Sequence, residues 1–158
     1  MKRDNKLLKA LNALLAKKFT TINQFVVHSE ICDKLGYSDL HKAIQKLAMD
    51  QMLLAEWLIE RICFLEGSPC QSNLNALLIE KTVSGMNKNT GDKQDTLNAY
   101  YEAIELARDA EDHHTADLLN SILLKDEGQL AWAQIQREQI EQKGLENYLI
   151  TRAECAVN

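Results

Sequence analysis

The stretch 38–69, SDLHKAIQKLAMDQMLLAEWLIERICFLEGSP, decides the fold. Leu40, Ile44, Leu47, Gln51, Leu54, Leu58, Ile62 and Leu65 follow one another at three- and four-residue intervals. That spacing stacks side chains along one stripe of an α-helix. Ser38 can cap the start of the run, and Gly67-Ser68-Pro69 ends it. The expected helix B is long and amphipathic, with a polar residue, Gln51, in the middle of its inward stripe.

The chain before it behaves in the same way. Leu7, Leu11, Leu14, Thr21, Phe25, His28 and Cys32 keep the 3-4 spacing and Gly36 supplies a left-handed stop, so helix A is expected from about Asn5 to Leu35. After helix B, roughly a dozen residues from Ser68 to Glu80 are too many for a tight helical hairpin and suit a crossover along a bundle. Helix C would then run parallel to helix B. Its stripe, Val83, Met86, Thr90, Lys93 or Gln94, Leu97, Tyr101 and Ile104, is less regular, and Gly85 and Gly91 weaken the first half. Helix D follows Asp112 as cap, carries Leu119, Ile122, Asp126, Gln129, Ala133 and Ile140, and closes at Gly144. A short fifth helix is expected from about Leu145 to Cys155. The sequence has no tandem repeat of fixed period, which counts against a helical solenoid. Four long helices with one long B–C crossover and a short C-terminal fifth helix resemble the all-α, ferritin-like four-helix bundle.

The 158 residues suit one domain over 1–158, with enough length to bury a continuous apolar core. Proline occurs once and aromatics make up 6%, so the composition favours helix over strand. A formal charge of −5 argues against nucleic acid as the main partner, because phosphate binding needs a basic patch. Apolar runs are only a few residues long and no charged start leads into an apolar signal core, so the expectation is a cytoplasmic protein with no membrane partner. Cys32, Cys63, Cys70 and Cys155 are too far apart for a C-x-x-C pair and read as buried reduced thiols. His28, His41, His113 and His114 form neither H-x-x-x-H nor E-x-x-H, and read as surface or core residues.

The informative positions are polar residues on inward stripes, each close to the midpoint of its helix. Lys18 lies between Leu14 and Phe25 on A, Gln51 between Leu47 and Leu54 on B, and Asp126 and Gln129 between Ile122 and Ala133 on D. Lys93 or Gln94 stands at a comparable level on C. Buried polar groups cost several kcal/mol unless paired, and charges cost more, so the coincidence points to a shared internal layer. The plainer reading is that Lys18 snorkels to solvent. Hard iron in a bundle core needs several carboxylates and imidazoles, whereas this layer holds one carboxylate, Asp126. An ion pair between Lys18 and Asp126 could fill the space instead.

Over essentially its whole length the chain resembles a bacterioferritin. The similarity is carried by Met1-Lys-Arg-Asp4, Leu11-Asn12, Leu14-Leu15 and Ile22-Asn23-Gln24 in helix A, and more specifically by Ile59-Glu-Arg-Ile62, Phe64-Leu-Glu-Gly67 and Pro69 in helix B. Gly144-Leu145 and Asn147-Tyr148-Leu149 are similar to that family's last turn and fifth helix. The resemblance implies a di-iron ferroxidase centre made from a carboxylate on each of A and C and an E-x-x-H on each of B and D. Here the matching positions read Lys18 on A, Gln51 with Leu54 on B, Lys93 or Gln94 on C, and Asp126 with Gln129 on D. The resemblance therefore implies the cage fold while the residues present imply no intact di-iron centre.

The resemblance also implies haem b, shared across a two-fold dimer interface with one axial methionine from each subunit. The matching position is Met52. Around it, Gln45, Met49, Met52, Glu56 and Ile59 form a second stripe on helix B that points away from the bundle core, and Phe19, Ile22, Asn23 and Val26 form another on helix A. An outward stripe of this kind needs a cover, which a partner subunit and a flat macrocycle would supply. Methionine sulfur favours ferrous haem iron and a raised reduction potential, as suits electron transfer.

The expected function is that of a haem-binding subunit of a twenty-four-subunit iron-storage cage, homo- or hetero-oligomeric, with a ferric mineral core. It would wire electrons to that core for iron release, beside a ferroxidase-active bacterioferritin subunit and with a ferredoxin-type electron donor. Two alternatives stand: a ferroxidase with relocated ligands at Asp126, Glu127 and Asp92 or Asp95, and a haem-free structural shell subunit in which Met52 is packing.

Overall fold

The computed structural model describes residues 4–69 and 93–154. Among them lie α1 (Asn5–Lys34), α2 (Ser38–Phe64), α3 (Lys93–Asp109), α4 (His113–Lys143) and α5 (Leu145–Glu154), with no strand. This is the all-α bundle of four helices, followed by the short fifth one. From Cys70 on, the stretch expected to cross from helix B to helix C, together with Val83, Gly85, Met86, Thr90, Gly91 and Asp92, lies outside the described residues.

α1 starts where Asp4 accepts hydrogen bonds from the backbone N–H groups of Lys6 and Leu7, which satisfies donors that the first helical turn cannot pair internally. It ends at Gly36, whose φ of +87° makes the left-handed turn into α2. Ser38 does not cap α2. It is the helix's first residue, Tyr37 holds the cap position, and no side chain bonds there. At the far end of α2 the left-handed residue is Glu66, at φ +60°. Gly67 contributes closeness instead: a Cβ there would stand 2.6 Å from Leu8 Cδ2 and 3.2 Å from the carbonyl oxygen of Ile62.

Cross-helix contacts fix the helix directions. Asn12 on α1 donates to the carbonyl of Ser68 just past α2, and Arg152 on α5 pairs with Asp39 at the start of α2. Arg61 near the end of α2 pairs with Asp112, the cap of α4, while Gln51 further back reaches Asp126 further along α4. Thus α2 is antiparallel to both α1 and α4. The short corner at 110–112 makes α3 antiparallel to α4, so α3 runs parallel to α2, as a crossover requires.

Leu7, Leu11, Leu14, Leu15, Leu54, Leu58, Ile62, Ile104, Leu119 and Ile122 form the main core, and each such side chain contributes about 2 kcal/mol by leaving water. Ala48 and Ala55 are buried although they lie beside the expected stripe, while Ile44, Leu47 and Leu65 are half-buried. A buried helix face is more than 100° wide, so it takes in positions on both sides of a 3-4 line. On α3 the core residues are Tyr100, Ala103, Ile104 and Ala107, and the expected Tyr101 is half exposed. Adjacent residues of a helix point about 100° apart, so one position of phase exchanges a core tyrosine for a surface one.

Cys32 is buried, and burial pushes its thiol up to about 11. Cys63 corrects the buried-thiol reading, because it is exposed on the outer face of α2. Cys70 and Cys155 lie outside the described residues. His28 is buried, His41 Nδ1 is 2.8 Å from the Ser29 carbonyl oxygen, and His113 and His114 are exposed. Among the described residues no helix is long and apolar enough to cross a membrane.

Candidate functional site

Four helices bring Lys18, Gln51, Tyr100 and Asp126 to one level inside the bundle, one residue from each. The Asp126 carboxylate on α4 is the hub. Its Oδ2 accepts from the Lys18 ammonium of α1 and, at 2.7 Å, from the Tyr100 hydroxyl of α3. Its Oδ1 accepts from Gln51 Nε2 of α2 at 2.8 Å. The same Nε2 donates its other hydrogen to Gln129 Oε1 at 2.7 Å. Lys18 also lies 5.5 Å from the centre of the Tyr100 ring, within cation–π range. Lys18 does not snorkel: only 6% of its side chain meets solvent.

These contacts fix the chemistry of the layer. Gln51 must point Nε2 at the carboxylate, since the turned amide would set its oxygen against two acceptors. Its Oε1 is then left buried without a hydrogen-bond partner among the described residues. Burial depresses the Lys18 ammonium below its ordinary value, against the opposing charge of Asp126 and the bond to it. Burial, the Asp126 charge and the bond to Asp126 all push the Tyr100 phenol up. Tyr100 therefore stays a neutral donor.

The residues of this layer do not fit a di-iron centre. A protonated amine has no lone pair to give, amide oxygens are weak donors to iron, and the one carboxylate already accepts three hydrogen bonds. Leu54, at the position where the resemblance asks for an imidazole, is buried apolar core. Among the described residues no three His, Cys, Asp or Glu side chains gather closely enough to hold a metal ion. The side chains of Lys93 and Gln94 lie outside the described residues. Glu127 and Asp95, offered as relocated ligands, are exposed.

Met52 is the next residue after Gln51 and faces the other way. It is 46% exposed, and its neighbours on the outer face of α2, Gln45, Met49 and Glu56, are exposed as well. Ile59 is half-buried. On α1, Asn23 and Val26 are exposed and Phe19 and Ile22 half-buried against the core. Val27 and Leu53 add exposed apolar surface to the same two helices. This outward face carries thioether sulfur beside apolar side chains.

Sequence reasoning found Lys18, Gln51, Asp126 and Gln129 and missed Tyr100. The signal was the doubled Tyr100-Tyr101, where either ring could face inward. A second buried network was also missed. Arg61 donates through its second terminal nitrogen to Asp112 at 2.8 Å and through Nε to Thr115 at 2.7 Å, while its guanidinium lies 4.6 Å from the Phe64 ring centre. At the opposite end, Tyr148 of α5 is buried and donates to Gln136 Oε1 at 2.7 Å, which docks α5 against α4.

The ferritin-like domain family matches residues 8–143. A bacterioferritin of Mycolicibacterium paratuberculosis is 29% identical over 149 residues, 94% of each chain. A bacterial ferritin of Synechocystis is 32% identical over 151 residues, covering 94% of this chain and 97% of its own. A bacterioferritin of Streptomyces coelicolor is 28% identical over 152 residues, 96% of this chain and 91% of its own. With its helix order and with similarity running through almost the whole of both chains, this protein belongs to the bacterioferritin family of ferritin-like proteins.

Proposed function

We propose that this chain is the haem-holding subunit of an iron-storage cage and that its own bundle does not oxidise iron. The observation that carries the reading is the Lys18 ammonium bonded to Asp126 where a ferroxidase centre would need metal. A carboxylate that already takes an ammonium and a phenol on one oxygen and an amide on the other has to displace at least the ammonium, a like charge, to bind a metal cation. Iron oxidation then falls to a second, ferroxidase-active subunit in the same shell, and ferric mineral is the cargo of the assembly.

Met52 from each of two subunits would hold haem b at the two-fold seam, with Met49, Val26, Phe19, Ile22 and Ile59 as apolar walls and Gln45, Asn23 and Glu56 at the edges. Haem bound there would supply one-electron transfer, which a ferredoxin-type donor could feed for iron release. The chain's part is to keep thioether sulfur and apolar surface on the outer face of α2 while the inner face stays closed by the Asp126 bonds. Two measurements test the reading. The chain expressed alone, given ferrous iron in air, should oxidise it no faster than a buffer blank; saturable turnover would refute the ferroxidase-deficient part. The fresh protein should show sharp reduced haem bands that Met52→Ala abolishes, and a spectrum without haem would refute the cofactor part.

A further inference from the structure

We propose that Lys18 and Asp126 form a fixed-charge clasp that ties the four helices together at mid-height, and that truncating Lys18 opens there a site for a small primary ammonium ion. Asp126 accepts from α1, α2 and α3 at once, so its side chain joins all four helices through one carboxylate. The cation that balances it belongs to the chain itself. No other cation is bonded to this layer among the described residues. Shortening Lys18 to alanine would remove the three carbons beyond Cβ and the ammonium together, leaving a slot of the shape and chemistry of the deleted group.

Two features would receive a replacement. Asp126 Oδ2 would lose its charged donor while Tyr100 holds the carboxylate in position. The Tyr100 ring already lies 5.5 Å from a nitrogen cation, and aromatic faces attract such charges. Propylammonium combines an apolar tail with a three-donor head and so matches the missing arm. The clasp stands on this bond geometry and does not depend on haem being bound.

The test uses the full chain in its assembled form, with Lys18→Ala compared with the unaltered protein by thermal melting. The variant should melt on the order of 10 °C lower, because one charge of a buried pair has lost its partner. Propylammonium chloride should recover several degrees in a saturable way, beyond sodium chloride at equal ionic strength, and should leave the unaltered chain unmoved. An unchanged melting temperature in Lys18→Ala, or equal gains from both salts, overturns the clasp. Should Lys18→Ala not assemble, Asp126→Ala is melted in sodium formate against sodium chloride. A gain specific to formate supports the proposal and its absence overturns it.

Discussion

Asp126 and Asp112 belong to the same stretch of chain at α4, and each takes a cation from another helix, yet they are held in different ways. Asp112 is held first by its own helix: Thr115 bonds to it through both its backbone N–H and its hydroxyl. Arg61 adds a guanidinium that is still 15% exposed. Burial alone would push the Asp112 carboxyl up, but the Thr115 bonds and the Arg61 charge outweigh it and hold the group below the usual carboxylate range. Asp126 has bonds to three other helices, one of them through a buried amine. A local network can be rehydrated one group at a time at the bundle's end. A network that spans the bundle at mid-height fails as a unit.

The largest predicted effect follows from that contrast. Asp126→Ala should cost about 3–5 kcal/mol, since it leaves a buried ammonium and a phenol unpaired and takes one of two hydrogen bonds from the Gln51 amide. Asp112→Ala should cost about 2 kcal/mol, the loss of a helix cap plus one partly solvated ion pair. Denaturant unfolding of the two variants beside the parent reads both values. If Asp112→Ala proved the costlier, the bundle's end and not its middle would hold the main electrostatic constraint.

The two networks also differ in sign against pH. Asp112 is depressed in the folded state, so its contribution is present above the unfolded carboxyl value and is lost as pH falls through its lower folded one. Lys18 is depressed too, but it is a base. From its folded value up to 10.5 the unfolded chain binds more protons there, so this group makes stability rise with pH. The raised Cys32 thiol and Tyr100 phenol act in the opposite sense in alkaline solution, so the Lys18 rise is read as the difference in unfolding free energy between the parent and Lys18→Met, which should shift in the parent's favour as pH climbs to 10.5, while Asp112→Asn removes only part of the acid loss. A parent-minus-Lys18→Met difference that stayed flat across that range would show that Lys18 contributes no such rise.

How much of this could be read from the chain depended on how each residue signals its setting. Lys18, Gln51 and Asp126 stood out because each interrupts an apolar stripe, and a polar residue in such a stripe needs a partner whatever the details. Tyr100 gave no such contrast, because a tyrosine suits either core or surface and its neighbour is another tyrosine. Arg61 and Asp112 were legible one by one, the first inside the Ile59–Ile62 motif and the second as a cap. Their pairing links α2 to α4 across 51 positions, which no local pattern encodes. Cys63 followed the helical pattern but on its outer face, so the general tendency of thiols to be buried misplaced it.

Gly67→Ala sharpens the comparison at the bundle's end, since the added methyl would meet Leu8 Cδ2 at 2.6 Å and lie close to the Ile62 carbonyl. A cost of about 1 kcal/mol is expected, because the leucine tip can move while the backbone oxygen cannot. The smallest effect belongs to Arg108→Ala. Arg108 bonds Glu105 at 2.8 Å, the same length as the Arg61–Asp112 contact, but the two side chains are 57% and 66% exposed. Water screens such a pair and the long side chains lose rotamer freedom in making it, so its removal should shift stability by no more than about 0.5 kcal/mol. Since the two contacts match in length, burial and shared partners would account for the larger cost at Asp112. Equal losses in Arg108→Ala and Asp112→Ala would instead make contact distance the controlling variable, and the contrast between the two carboxylates of α4 would lose its physical basis.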